Sequence, residues 1–162
     1  LSTAIYVRDI SGAFYGIYYI LLVLCGAWIS DTGAYFSGYL FGKRKLAPQI
    51  SPKKTIEGAV GGFIVCTIFF VLMGVLFTYI GGKINLNISI NYVFMLIIAP
   101  IVSLLSIVGD LSASIIKRQH NIKDFGNIMP GHGGVLDRFD SVFYVAPFMF
   151  IINMYHPFMI IK

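Results

Sequence analysis

Long apolar runs separated by short polar loops dominate this chain. The first extends from about Gly16 to Phe41 and is broken only by Ser30-Asp31-Thr32. The second, Gly58 to Ile80, has 23 residues without a charge, roughly 35 Å of helix against a hydrocarbon core of roughly 30 Å. A third, from Tyr92 to about Val108, contains Pro100 and continues into a polar stripe, and a fourth covers Val142 to Ile161. The pattern predicts an all-α, polytopic integral membrane protein with about four transmembrane helices, organised as a single unit over residues 1–162. Two G-x-x-x-G pairs, Gly38 with Gly42 and Gly58 with Gly62, suit close packing of neighbouring helices.

Composition supports a membrane setting. Of 162 residues 57% are apolar and 12% charged, against roughly 25% charged in an average soluble domain; mean hydropathy is +0.83. The net charge of +5 does not point to nucleic acid, because the basic residues cluster. Five lie in residues 42–57 and four in 117–138, while Arg8, Lys83 and Lys162 are the rest. The positive-inside bias then puts both basic segments on the cytoplasmic side, with anionic headgroups and phosphate substrates as expected partners. Cys25 and Cys66 fall within predicted spans without ligand spacing, so neither a disulfide framework nor zinc is expected. The chain begins with Leu1 and carries no signal-peptide pattern, and is expected to be the C-terminal part of a longer protein.

Two polar features inside this apolar frame carry the candidate chemistry. Asp31 lies ten residues before the end of the first run, hence roughly 15 Å deep, where an unpaired carboxylate is costly and marks a cavity by default. The second feature is Gly109 to Ser141, which holds eight of the nineteen charged residues. Asp110, Ser114 and Lys117 are spaced to share one helix face, with Arg118 at its edge. Asp137 and Asp140 stand at the start of the next helical run, where anions are favoured and a metal can be shared. Between the stripe and these aspartates, PGHGG supplies glycine amides and His132 for an oxyanion. Hard carboxylates suited to Mg²⁺, basic side chains and a glycine nest are the parts needed to move a phosphoryl or nucleotidyl group. No Walker-type sequence is present.

The run S-x-x-K-R-x4-K-D-x-G-x3-P-G-H-G-G-x-x-D-R-x-D, from Ser114 to Asp140, resembles the signature of the phosphatidate cytidylyltransferase (CDP-diacylglycerol synthase) family. The segments W-x-x-D-T-x-A-Y-x-x-G-x-x-x-G-K, from Trp28 to Lys43, and S-P-K-K-T-x-E-G, from Ser51 to Gly58, are similar to two further blocks of that family. The resemblance implies transfer of a cytidylyl group from CTP to phosphatidate, with release of pyrophosphate, at a polar cavity on the cytoplasmic side of a bacterial plasma membrane. It implies Asp110, Asp137 and Asp140 as Mg²⁺ ligands, a second cation, monovalent or divalent, being compatible with the site. Lys117, Arg118 and Lys123 would join the carboxylates in catalysis, on nucleotide or pyrophosphate oxygens. Asp31, Ser51, Lys53, Lys54, Ser114, His132, Gly133, Gly134 and Arg138 would line the substrate site. Asp124 is as well suited to a turn or a salt bridge with Lys123. Many family members carry Glu at the position of Ala113, which leaves the number of metal ions open. CTP, phosphatidate and the bilayer are the implied partners, with self-association into a homo-oligomer left open. The alternatives are a CTP-dependent enzyme acting on another membrane lipid phosphate, an ion-coupled transporter fragment built on Asp31 and Asp110, and an inactive scaffold.

Overall fold

A computed structural model describes residues 13–122, 124–126 and 134–161. Four long helices form the body: α1 Ala13–Phe41, α2 Ile56–Lys83, α3 Tyr92–Gln119 and α4 Leu136–Tyr155. Strands β1 Lys45–Ala47 and β2 Ser51–Thr55 make a hairpin between α1 and α2, and β3 Ile88–Ile90 pairs antiparallel with β4 Met159–Ile161. Among the described residues α1, α2 and α3 are long and apolar enough to cross a membrane. At 28 or 29 residues each, they reach roughly 42 Å, enough to traverse the hydrocarbon and project into the headgroup region.

The first three expected spans are present and longer at their ends. The expected fourth, Val142 to Ile161, is corrected: α4 starts at Leu136 and stops at Tyr155. Pro157 disfavours helical geometry at His156 and cannot itself continue the helix, so the chain turns and enters β4. Pro100, by contrast, stays inside an uninterrupted α3. That helix continues as expected through Asp110 and Lys117 and ends where Asn121 adopts a left-handed conformation at φ 53°.

Local sequence accounts for the starts of α2, beside the site, and α3, at the far end. Thr55 caps α2 by accepting the Gly58 amide at 3.1 Å, and Asn91 caps α3 by accepting that of Phe94 at 3.1 Å. In the first turn of α2, the Glu57 carboxylate accepts the backbone N–H groups of Lys43 and Arg44. This ties the hairpin's entry to the helix its exit begins. The loop expected over residues 42–57 is thus an ordered ribbon, with Thr55 the joint between strand and helix.

α1 and α2 are antiparallel and in close backbone contact. A Cβ at Gly58 would stand 2.6 Å from the Ala34 carbonyl oxygen and 3.2 Å from the Gly38 Cα, and one at Gly38 would meet the Thr55 hydroxyl at 2.7 Å. The glycines therefore set the distance between the helices, as their spacing suggests. At the other end of the bundle, Tyr18, Tyr19, Phe70, Met95, Met149 and Phe158 are fully buried. Their polar atoms are satisfied there: the Tyr18 hydroxyl meets the Met95 sulfur at 3.6 Å, and the Phe158 amide donates to the Tyr19 oxygen at 2.7 Å. The packed apolar end leaves the opposite end, at the C-terminal halves of α1 and α3, to be polar.

Because the Ala34 carbonyl cannot retreat without bending α1, Gly58→Val should destabilise the protein by about 1 to 3 kcal/mol. Thermal unfolding in detergent should show it as a lowered midpoint. Gly82→Ala, where a Cβ meets nothing within 4 Å, should leave the midpoint unchanged.

Candidate active site

The polar end encloses a cavity of about 670 Å³ whose wall includes Asp31 of α1, Ser51, Lys53 and Lys54 of β2, Asp110 of α3, and Asp137 and Asp140 of α4. Residues separated by more than a hundred positions thus share one volume. All four helices and the hairpin each supply part of the wall because α1 and α3 deliver their C-terminal halves, and α2 and α4 their first turns, to the same end. Ala34, Gly38, Gly42, Gly58 and Ile107 form apolar parts of the wall, and Tyr35 and Tyr39, both mostly exposed, flank it along α1.

Each carboxylate is held differently. Asp110 forms an ion pair with the Lys54 ammonium, whose nitrogen is buried. Asp137 accepts from Lys117 Nζ at 2.8 Å through Oδ1, and from the amides of Phe125 at 2.9 Å and Gly134 at 3.0 Å through Oδ2. Burial alone would raise the Asp137 pKa, but Lys117 and the two amides outweigh it and hold the carboxyl below its ordinary value, so it is ionised at neutral pH. α4 has no side-chain cap at Val135; the Asp137 carboxylate secures the helix start to Phe125 and Gly134 instead. The Trp28 indole N–H donates to the Arg138 carbonyl at 3.0 Å, and its ring packs edge-on against Phe139. α1 is thereby fastened to the turn that bears both aspartates.

Among the described residues, Asp31 has no cationic partner in contact. Its two oxygens each accept a hydroxyl, Oδ1 from Ser106 at 2.9 Å and Oδ2 from Ser141 at 2.8 Å. Asp140, almost fully buried, accepts the Ser141 amide at 2.7 Å. Asp31, Asp110 and Asp140 lie near enough for their charges to act on one another. Like charges so arranged in a partly apolar enclosure need further positive charge.

The candidates named from sequence divide into three groups. Asp31, Ser51, Lys53, Lys54, Asp110, Asp137 and Asp140 line the cavity, and Lys117 and Gly134 reach it through Asp137. Ser114, Arg118 and Arg138 do not line it; Ser114 is half-buried on α3, and the other two are exposed. Lys123, His132 and Gly133 lie outside the described residues. The sequence reasoning missed Tyr35, Tyr39 and Lys45 in the wall, and Ser106 and Ser141, which hold Asp31. The signals of the two serines are faint but present: Ser106 is one helical turn before Asp110, and Ser141 directly follows Asp140.

Among the described residues no three His, Cys, Asp or Glu side chains are gathered as a ready-made cage for a metal ion. That arrangement still fits Mg²⁺. This ion is commonly held by one or two carboxylates, with water and substrate phosphate oxygens completing its octahedron. The oxygen donors of Asp110, Asp137 and Asp140 are of the right chemical kind, and Lys54 and Lys117 supply the positive charge at two of them.

Comparison with known proteins agrees with this architecture. The family model described as cytidylyltransferase family matches residues 4–156. The phosphatidate cytidylyltransferase of Bacillus subtilis (strain 168) is 41% identical over 138 residues, covering 85% of this chain and 48% of that protein. That of Staphylococcus saprophyticus is 44% identical over 137 residues, covering 85% of this chain and 49% of the relative. The chain therefore spans about half the length of these curated relatives. A solved structure of an intramembrane enzyme for archaeal membrane lipid biosynthesis aligns with a TM-score of 0.51 at 21% identity, over 83% of this chain and 77% of the other, and so shares its fold. With the family model matched along nearly all of its length, the chain belongs to the cytidylyltransferase family.

Proposed function

We propose that the protein transfers a cytidylyl group from CTP to phosphatidate, giving CDP-diacylglycerol and pyrophosphate, with its polar cavity on the cytoplasmic side of a bacterial plasma membrane. The observation that carries this proposal is one cavity, at the polar end of membrane-crossing helices, lined by four aspartates and by Lys45, Lys53 and Lys54. The names of the two curated relatives supply the substrates. The basic residues flanking the cavity support the orientation, since the hairpin segment alone holds five of the twelve.

In this reaction a phosphate oxygen of phosphatidate attacks the α-phosphorus of CTP, a new P–O–P bond forms, and the bond to the β-phosphate breaks. Nucleophile, electrophile and leaving group are all anions, so the site must chiefly neutralise and orient them. Lys53 on β2 would bind lipid or nucleotide phosphate oxygens at the cavity wall, and Lys54 would do so on exchanging its pairing with Asp110. Asp137 holds the Lys117 ammonium at the cavity edge, where it can balance charge on the pyrophosphate. Tyr35 and Tyr39 border the cavity where α1 is exposed, and give the acyl-glycerol portion an apolar flank. Asp110, Asp137 and Asp140 would hold Mg²⁺, which supplies Lewis-acid neutralisation of the phosphate oxygens. The nucleophile is already ionised near neutral pH, so no strong general base is required.

Incorporation of labelled CTP into phosphatidate, in membranes containing the full chain, tests the assignment. Asp110→Ala and Asp137→Ala should each lower turnover by at least about 100-fold, with the protein still inserted; normal turnover in either variant would remove that residue from the site. Chelation with EDTA should abolish incorporation and added Mg²⁺ should restore it. Lys53→Ala should raise the KM for one of the two substrates while leaving insertion and topology unchanged. An unchanged kinetic profile with reversed topology would reduce Lys53 to an orientation signal.

A further inference from the structure

We propose that Ser141, a residue outside the sequence blocks that resemble the family, is a positioning residue that fixes the spacing of two cavity carboxylates on two different helices. Its hydroxyl donates to Asp31 Oδ2 at 2.8 Å, while its backbone N–H donates to Asp140 Oδ1 at 2.7 Å. The Ser141 oxygen also lies 3.4 Å from Asp140 Oδ1, but a hydroxyl has a single proton, and the shorter contact to Asp31 takes it. One residue of α4 therefore holds an acid on α1 through its side chain and an acid on its own helix through its backbone.

The surrounding packing leaves Ser141 little freedom. It is 1% exposed. A Cβ at Gly109 would stand 2.9 Å from the Ser141 Cα and 2.8 Å from the Asp140 carbonyl oxygen, so α3 presses its bare backbone against α4 at this level. The next residue, Asp110, is thereby brought opposite Asp140. Ser106, one turn earlier on α3, occupies the other oxygen of Asp31. With both Asp31 oxygens engaged by buried hydroxyls from two helices, its carboxylate plane is fixed, and so is its distance from Asp140. Asp140 is one of the proposed Mg²⁺ ligands, and an Asp31 held at a set separation keeps its charge fixed beside that ligand, whereas acids free to swing apart would separate by mutual repulsion. Ser141 thus acts on cation binding through Asp31 and Asp140 rather than by touching substrate.

This role rests on the cytidylyltransferase assignment only for its effect on turnover; its effect on cation affinity can be read without substrate. Mn²⁺ is the probe, titrated into the purified, nucleotide-free full chain and followed by electron paramagnetic resonance. Ser141→Ala keeps the amide to Asp140 and loses only the hydroxyl to Asp31. Its Mn²⁺ affinity should fall about 10-fold, the scale found when a supporting group beyond the ligands themselves is lost. In an Asp31→Asn background the same substitution should cost less than about 2-fold, because the group through which Ser141 acts is no longer a carboxylate. Turnover should fall with Mn²⁺ affinity while the KM for CTP stays within about 2-fold of the parent. Unchanged Mn²⁺ affinity in Ser141→Ala overturns the proposal, as does an equal loss in both backgrounds accompanied by a lowered unfolding midpoint, which marks a packing role. A parent chain that shows no Mn²⁺ binding at all overturns it as well. Mn²⁺ binding with the expected dependence on Ser141 and Asp31, in a protein that does not transfer a cytidylyl group, supports Ser141 and instead defeats the substrate assignment.

Discussion

Four carboxylates share one enclosure at the polar end of helices that are otherwise hydrocarbon, and the rest of the structure is shaped by the need to keep them there. An isolated buried carboxylate costs several kcal/mol at minimum. The protein meets this cost with a different donor set at each acid: an ammonium for Asp110, an ammonium and two amides for Asp137, two hydroxyls for Asp31, and an amide for Asp140. The donors come from β2, α3, α4 and the segment before α4, so the acids also knit these parts together. In lipid, where apolar contacts between helices gain nothing over apolar contacts with acyl chains, such polar ties and close backbone packing hold a bundle in one arrangement.

Glycine makes the ties geometrically accessible. Gly38 and Gly58 bring α1 and α2 together beside Thr55, and Gly109 brings α3 against α4 beside Ser141. Each contact lies next to part of the cavity wall: the first beside the hairpin that carries Lys53 and Lys54, the second between Asp110 and Asp140. Removing side chains at these points moves the neighbouring side chains inward, so short groups such as a serine hydroxyl reach across from helix to helix.

The sequence disclosed the spans because a bilayer demands long apolar runs, and that demand leaves a signal visible without any partner. It disclosed Asp31, Asp110, Asp137 and Asp140 because charge is rare enough in such a chain to stand out. The hairpin at Lys45–Thr55 and the pairing of β3 with β4 were not legible. Strands of three to five residues carry too few positions for a period of two to emerge, and contacts far away in sequence decide their pairing. The expected fourth span ran past Pro157 to Ile161, because the apolar residues beyond the proline resemble a continuing span until β3 is known to lie alongside. Ser106 and Ser141 were hidden for a different reason: serine is common within membrane helices, and only the position of Asp31 on another helix distinguishes these two from Ser112, which bonds to its own helix at the Val108 carbonyl.

The bond between the Phe158 amide and the Tyr19 oxygen joins residues 139 positions apart. At a synthesis rate of about 5 to 20 residues per second, the interval between the two leaving the ribosome is roughly 7 to 28 s. Throughout that time the phenol of Tyr19 lacks its native donor, and the pocket that Phe158 fills stands open. α1 therefore lacks part of its native packing until Phe158 and the strand beyond it have been made.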